Sequence, residues 1–419
     1  MLHADIPLAG ASRTGPGIGQ IRARFPALAQ SLAFLENAGG SQVPVDVADA
    51  IRAYMLESYV QLGAGYGLSN RATETVDWAH AFIGTFMNAT ATGKVILGPS
   101  TTQLCHMLAN CYAETLRPGD EIVLAETAHE ANVGPWLRLE RNGAKIRWWK
   151  VDRDVEDCTL ASLESVLSER TRIVAFPHVS NLLGRIADVP EITRRCHRVG
   201  ARVVVDGVAF APHRAIDVQA WDVDWYVFST YKVYGPHMGA LYGRADALAE
   251  LRGPNHFFIP DTNVPYKFEL GGACHEGCAA LLALGRYLAF LAGHEASYPV
   301  SRATVERAMT RTSELEATLQ KALFDGLAAI GGVRIIGGGG AEVSERVPTA
   351  SFLHERYSPS EVVAALHRAD VAARYGHMYA YRLCESLGIG TAEGVVRISA
   401  VHYNTVAEIE RSLAAIRAL

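Results

Sequence analysis

The chain has 419 residues, 49% of them hydrophobic and 20% charged, with a formal net charge of −5 at pH 7. That balance excludes a disordered chain, and so small a charge excludes a nucleic-acid surface or a polybasic membrane patch. The length exceeds what one core usually serves, so two domains are expected. From about residue 94 to 244, short β-rich runs alternate with helical patterns. The runs are Lys94–Leu97, Glu121–Ala125, Lys145–Val151, Arg172–Phe176, Arg202–Asp206, Trp225–Phe228 and Gly239–Tyr242. Amphipathic stretches such as Thr102–Thr115 and Pro190–Val199 lie between them. The second opens on proline and stops at Gly200, the usual helix punctuation. Alternation of this kind predicts an α/β domain, a mostly parallel seven-stranded sheet covered by helices. The last two runs are too close for a crossover helix, so one sheet edge is expected to be antiparallel.

Beyond residue 245 the pattern changes. Loops rich in Pro, Gly, Asn and Phe reach to about 275, and helices follow at Cys278–Leu291 and Arg302–Ile330. A smaller α+β unit closes the chain, with strands near Val333–Ile336, Ala350–Leu353 and Val395–Ser399 and helices over Ser360–Ala369 and from Val406. The domain expectation is therefore an N-terminal segment 1–35 packing with the small domain, a large domain 36–290 and a small domain 291–419. Gly337–Gly340 lacks a helix directly after it and reads as a flexible turn.

The seven cysteines include no C-x-x-C pair, and their odd number and scatter point to reduced thiols and a cytoplasmic protein. Cys274-His275-x-x-Cys278 has no second ligand pair, so packing residues and no metal are expected there. No basic leader followed by an apolar stretch opens the chain, and no run approaches a membrane span.

Chemistry concentrates around Lys232. It lies in Phe228-Ser-Thr-Tyr-Lys-Val-Tyr-Gly-Pro, just past one buried-looking strand, while the neighbouring run Arg202-Val-Val-Val-Asp206 ends on an aspartate. A strand end would aim this lysine into the cleft at the sheet's carboxyl edge. A lone lysine there is more often a surface residue. With Asp206 to face a pyridinium nitrogen, it is suited to carry pyridoxal 5′-phosphate as a Schiff base. Leu97-Gly-Pro-Ser-Thr-Thr-Gln103 opens a helix with hydroxyls and free N–H groups, an anion site suited to a phosphate ester, though alone it reads as an ordinary N-cap. His129 follows the second strand, where an imidazole can stack on the pyridine ring and take part in proton transfer. Asn181 follows the fourth strand and could donate to the ring's phenolic oxygen. Arg397 sits within an apolar strand and needs an anion, for which a substrate carboxylate is suited.

These pieces, in this order, resemble the class V aminotransferase family of fold-type-I pyridoxal phosphate enzymes, nearest its cysteine desulfurase and selenocysteine lyase branch. The resemblance runs from Phe34-Leu-Glu-Asn-Ala-Gly through Ser100-Thr-Thr, His129-Glu-Ala-Asn, His178-Val-Ser-Asn, Val205-Asp-Gly and Lys232-Val-Tyr-Gly-Pro to Arg374-x-Gly-His and Arg397-x-Ser. It implies the cofactor on Lys232, Asp206 at the ring nitrogen, His129 on the ring face, Thr102 and Ser229 at the phosphate, Asn181 near the phenolic oxygen and Arg397 on the substrate carboxylate. The matched motifs add Thr101 and Tyr231 to the cofactor's surroundings, and Asn37, Arg374 and Tyr379 to the substrate side. A homodimer with sites near the interface is also implied, with Phe268–Gly272 near the neighbour's cofactor.

The departures concern function most. The family's sulfur-accepting cysteine is replaced by Tyr379, and a phenol forms no persulfide. Cys384 lies five positions on and reads as a packing thiol. Ala209 stands where a glutamine would bond the cofactor ring, Tyr231 where a histidine would precede the lysine, and Leu62–Leu68 where the family is basic. The expected activity is β-elimination (C–S cleavage) on a cysteine-like amino acid without a protein persulfide. Transamination, epimerisation, or cofactor binding without turnover are the alternatives.

Overall fold

The computed structural model of the protein describes residues 15–294 and 299–419. The first 14 residues of the expected N-terminal segment, and 295–298 of the expected small domain, lie outside them. The large sheet has seven strands: β1 Gly93–Gly98, β2 Glu121–Ala125, β3 Lys145–Trp149, β4 Thr171–Pro177, β5 Arg202–Asp206, β6 Trp225–Ser229 and β7 Gly239–Arg244. Their spatial order is β1-β7-β6-β5-β4-β2-β3. Every residue of β6, and all of β5 but its first, is buried, because helices and loops cover both faces. That is why these strands read as unbroken Val, Tyr and Phe runs rather than alternating ones. Two apolar clusters flank the sheet, one around Val203, Val205 and Phe228, the other around Val204, Trp225 and Val227.

One sheet edge is antiparallel, as expected from the closeness of the last two runs, but β7 is not itself the edge strand: it lies between β1 and β6 and pairs antiparallel with both. One expectation about the sheet needs correction. The run Lys145–Val151 is not one strand. It leaves the sheet after Trp149, and Val151–Asp152 turns out to pair with Asp157–Cys158.

The small sheet contains β8 Val333–Ile335, β9 Thr349–His354, β10 Arg374–Gly376 and β11 Val395–Ser399, in the order β8-β9-β11-β10, all antiparallel. The described part of the N-terminal segment bridges both units. Ala33–Phe34 pairs with Val371–Ala372 and Leu35 enters the small core, but Ile21, Phe25 and Leu28 pack in the large one. The helix Arg302–Ala328 does likewise, with Val305, Ala308 and Met309 in the large core and Leu319, Leu323 and Phe324 in the small one. Two cores thus share one rigid spine. The glycine run begins with a held peptide: Gly337 N–H donates to Glu156 Oε2 at 2.7 Å, and its carbonyl accepts from Arg346 at 2.8 Å. Among the described residues no helix is long and apolar enough to cross a membrane.

Candidate active site

A parallel sheet gathers whatever follows its strands at one edge, and here the carboxyl ends converge on one cleft. Ser100, Thr101 and Thr102 follow β1, His129 follows β2, Asn181 follows β4, Asp206 ends β5, Ser229 ends β6, and Tyr231 and Lys232 come directly after it. All of them line the same cavity of about 550 Å³, open mouth included. Ala131, Pro177, Val179, Val208 and Ala209 complete its wall. Except for Ala209 these apolar residues carry no chemical signal in sequence; their role depends on neighbours far apart in the chain.

Lys232 sits in a tight helical turn, Thr230–Lys232, and is 8% exposed. Ser41 braces that turn, its hydroxyl donating to Tyr231 C=O at 3.0 Å and accepting from Tyr234 N–H at 2.9 Å. Burial, reinforced by the Arg397 charge and opposed by Asp206, brings the Lys232 amine down to about 8. Asp206 is buried, and burial pushes its carboxyl up, opposed by a hydrogen bond from Val208 N–H at 2.9 Å and by the Lys232 charge. A desolvated carboxyl of this kind is stabilised as the anion by a cation placed against it, as a protonated ring nitrogen would be.

The helix Thr101–Ala113 starts at the cleft with Ser100 as N-cap, whose side chain accepts from Gln103 N–H at 3.2 Å. Thr101 Oγ1 and Ser229 Oγ lie 2.7 Å apart, joining the helix start to the end of β6. Free N–H groups and three hydroxyls at a helix N-terminus favour a phosphate dianion. His129 Nδ1 accepts from Ala131 N–H at 3.0 Å, so its ring proton lies on Nε2. Burial first, then the charges of Lys232 and Arg397, hold this imidazole down to about 4. It is therefore neutral at physiological pH and able to lie flat on an aromatic ring.

The substrate side is built by the small domain. Arg397 is buried in β11 and donates from one terminal nitrogen to Asn181 C=O at 3.1 Å, while its Nε has no partner among the described residues. Burial, reinforced by Arg374 and opposed by Glu36, lowers it to about 10, so it remains a cation at neutral pH. Nearby Glu36 is engaged by Arg374 at 2.6 Å, on the exposed rim. Asn181 donates to Met378 C=O at 2.8 Å, and its buried Oδ1 is also without a partner. The free Arg397 Nε suits a carboxylate, whereas the orphaned Asn181 Oδ1 is an acceptor and suits an O–H donor, so the expected donation from Asn181 to a phenolic oxygen is reversed: its Nδ2 is already engaged by Met378. Tyr379 stands on the rim, 63% exposed, its ring stacked on His129.

The Asn37 side chain is already engaged. Its amide nitrogen donates to Phe34 C=O, Ser399 C=O and Asn404 Oδ1, and its Oδ1 accepts from Tyr403. These bonds tie the N-terminal segment to the small domain and leave no side-chain donor free for the substrate role expected of it. Cys384 is fully buried beside Leu182, Leu183 and Leu383, and burial pushes its thiol up to about 11. Cys278 is buried and Cys274 exposed, and among the described residues no group of three His, Cys, Asp or Glu side chains could hold a metal ion.

The residues fit pyridoxal 5′-phosphate: one cavity is lined by a buried amine, a buried carboxyl, an imidazole and the hydroxyls of a helix start. Comparison with known proteins agrees. The chain is 38% identical to the aminotransferase-like protein FGM3 of Gibberella zeae over 95% of its own length and 97% of that protein. It is 31% identical to a cysteine desulfurase of Dickeya dadantii, over 95% of each chain. A cysteine desulfurase structure from Thermococcus onnurineus superposes with a TM-score of 0.84 at 25% identity, covering 98% of this chain and 99% of that one. The profile described as aminotransferase class-V matches residues 33–411. The chain belongs to the class V aminotransferase family, as a pyridoxal phosphate-dependent enzyme.

Proposed function

We propose that the protein is a β-lyase: it removes the Cα proton of a cysteine-like amino acid and expels the β-substituent as free sulfide or a substrate-derived persulfide. The observation that carries this reading is the state of the two positions able to take sulfur. Tyr379 occupies the place where desulfurases carry their nucleophilic cysteine, and Cys384 is buried with its thiol pushed up to about 11. A thiol that remains protonated at neutral pH and cannot reach the cleft is no acceptor.

Bound pyridoxal phosphate supplies the electron sink that weakens bonds at Cα. The protein's own residues then do the rest. Lys232 provides an amine near neutrality, first as the group holding the cofactor and, once displaced by substrate, as the base for Cα–H. Asp206 would hold a proton at the ring nitrogen, keeping the sink strong. Arg397 would grip the α-carboxylate and so set which Cα bond faces Lys232. His129 would cover the ring face, and the start of helix Thr101–Ala113 would hold the phosphate. The expelled sulfur leaves with its bonding pair, and water then releases the remaining three carbons as keto acid and ammonia.

We further infer a homodimer. Phe257 is 97% exposed and Phe258 lies beside it, on the loop that leads to Phe268–Gly272. Two adjacent exposed phenylalanines on a surface loop suit a second copy of the chain.

The test is a screen of the purified holoenzyme against amino acids with keto acid, ammonia and sulfide followed together. Equal yields of all three from cysteine support the lyase. Keto acid formed only with an added keto-acid acceptor would replace it by transamination, the reading that the aminotransferase-like relative favours, and inversion at Cα alone would replace it by epimerisation.

A further inference from the structure

Residues 377–380 form a tight turn on the small-domain rim. Met378 and Tyr379 both hold left-handed backbone, φ 48° and 61°. For residues other than glycine this conformation is strained, and it persists only where surroundings enforce it. Within the turn, Ala380 N–H donates to His377 C=O at 2.8 Å and Tyr379 N–H to His377 Nδ1 at 3.1 Å. The carbonyls of the strained pair are both taken by the large domain. Asn181 Nδ2 donates to Met378 C=O at 2.8 Å, and Glu130 N–H donates to Tyr379 C=O at 2.9 Å. Asn181 lines the cofactor cleft and Glu130 is the next residue after His129. The turn is thus fastened on both sides of the imidazole.

The Tyr379 side chain completes the arrangement. Its ring stacks on His129 with centroids 5.1 Å apart and planes at 30°. Family resemblance puts a mobile sulfur carrier at this position, whereas here the position holds a fixed aromatic plate.

We propose that Tyr379 is a positioning residue for His129: its ring covers the imidazole, fixing its plane and keeping water from it above the cofactor ring. The inference rests on the reading that this cleft holds pyridoxal phosphate with His129 at the ring face. Two restraints act on the imidazole together. The Ala131 N–H fixes the tautomer, and the phenol ring fixes the tilt. The charged groups around it are Lys232 and Arg397 on the cleft side and Glu130, paired with Arg382 at 3.7 Å, on the rim. Dehydration is the largest cause holding His129 down to about 4, so uncovering the ring should let it rise toward its ordinary 6.5. The two cations remain and prevent a full return.

The experiment is an NMR pH titration of His129 in the holoenzyme, its resonance assigned by its loss in His129→Gln, compared among wild type, Tyr379→Phe and Tyr379→Ala. Wild type and Tyr379→Phe should titrate together, since both carry the ring. Tyr379→Ala should titrate about one pH unit higher, a tenfold gain in proton affinity. Tyr379→Leu gives the same comparison should the alanine variant fail to fold. Identical titration in all variants, or Tyr379→Phe moving with Tyr379→Ala, overturns the proposal. Repeating the titration on apoprotein separates it from the cofactor reading: shielding of His129 by Tyr379 in the apoprotein, together with no borohydride-reducible link between Lys232 and added pyridoxal phosphate, would defeat that reading alone.

Discussion

Lys232 and Asp206 show how burial makes chemistry. An ammonium and a carboxylate in one buried cleft are each pushed toward neutrality; the Val208 N–H and then the Lys232 charge oppose this for Asp206, and Asp206 opposes it for Lys232. The lysine's position near 8 has a direct consequence for cofactor capture. The neutral amine attacks the aldehyde, so the rate at which apoprotein takes up pyridoxal phosphate should rise with pH and level off above about 8. Below that, each pH unit should slow capture about tenfold, as the neutral fraction falls. Stopped-flow absorbance measures this, and a flat profile from pH 6 to 9 would show that the amine is not the titrating group. The meeting of Lys232, Asp206 and His129 in one cleft was legible in sequence because Asp206 ends a strand-like run and the other two follow one, and a parallel sheet collects such positions at one edge. The bonding of Asn37 was not. Its motif position suggested substrate, but its amide is saturated by Phe34, Ser399, Asn404 and Tyr403, partners hundreds of residues away except for the first.

Among the elements, β7 is the one that local pattern did not place. Its run was recognisable as a strand, but its insertion between β1 and β6 depends on pairing that sequence spacing does not encode. That insertion matters for the site. Gly239, the first residue of β7, lies opposite Gly98 on one side and Ser229 on the other. It therefore spans the gap between the Ser100–Thr102 turn and the strand that leads to Lys232. A Cβ at Gly239 would stand 2.6 Å from the Ser100 carbonyl carbon and 2.7 Å from Thr101 N, so the helix start would have to shift. Gly239→Ala should weaken binding of pyridoxal phosphate by about tenfold, roughly 1.4 kcal/mol, with Lys232 and Asp206 untouched. Fluorescence titration of the apoprotein reads this, and unchanged affinity would mean that the turn does not hold the phosphate. The end of β3 was missed for a related reason: Val151 continues the apolar run, yet its N–H is taken by Glu126 Oε2 at 2.9 Å, drawing the chain out of the sheet.

For the whole molecule, two cores are tied by one long helix and by an N-terminal segment that enters both, so Arg397 of one unit is held against Asn181 at the cleft of the other. The exposed Phe257 and Phe258 give a prediction at this scale. The protein should sediment at twice 45.3 kDa, and the double change Phe257→Asp with Phe258→Asp should raise the monomer fraction. Equal dissociation of both proteins on dilution would remove this loop from the interface. The account's central claim, elimination without a protein sulfur carrier, is tested most directly by intact-mass spectrometry of the holoenzyme after turnover with cysteine, on wild type and on Cys384→Ser. It predicts unchanged protein mass in both, while sulfide and keto acid accumulate. A gain of one sulfur atom on wild type, absent from Cys384→Ser, would contradict it and make the buried thiol the acceptor of a desulfurase.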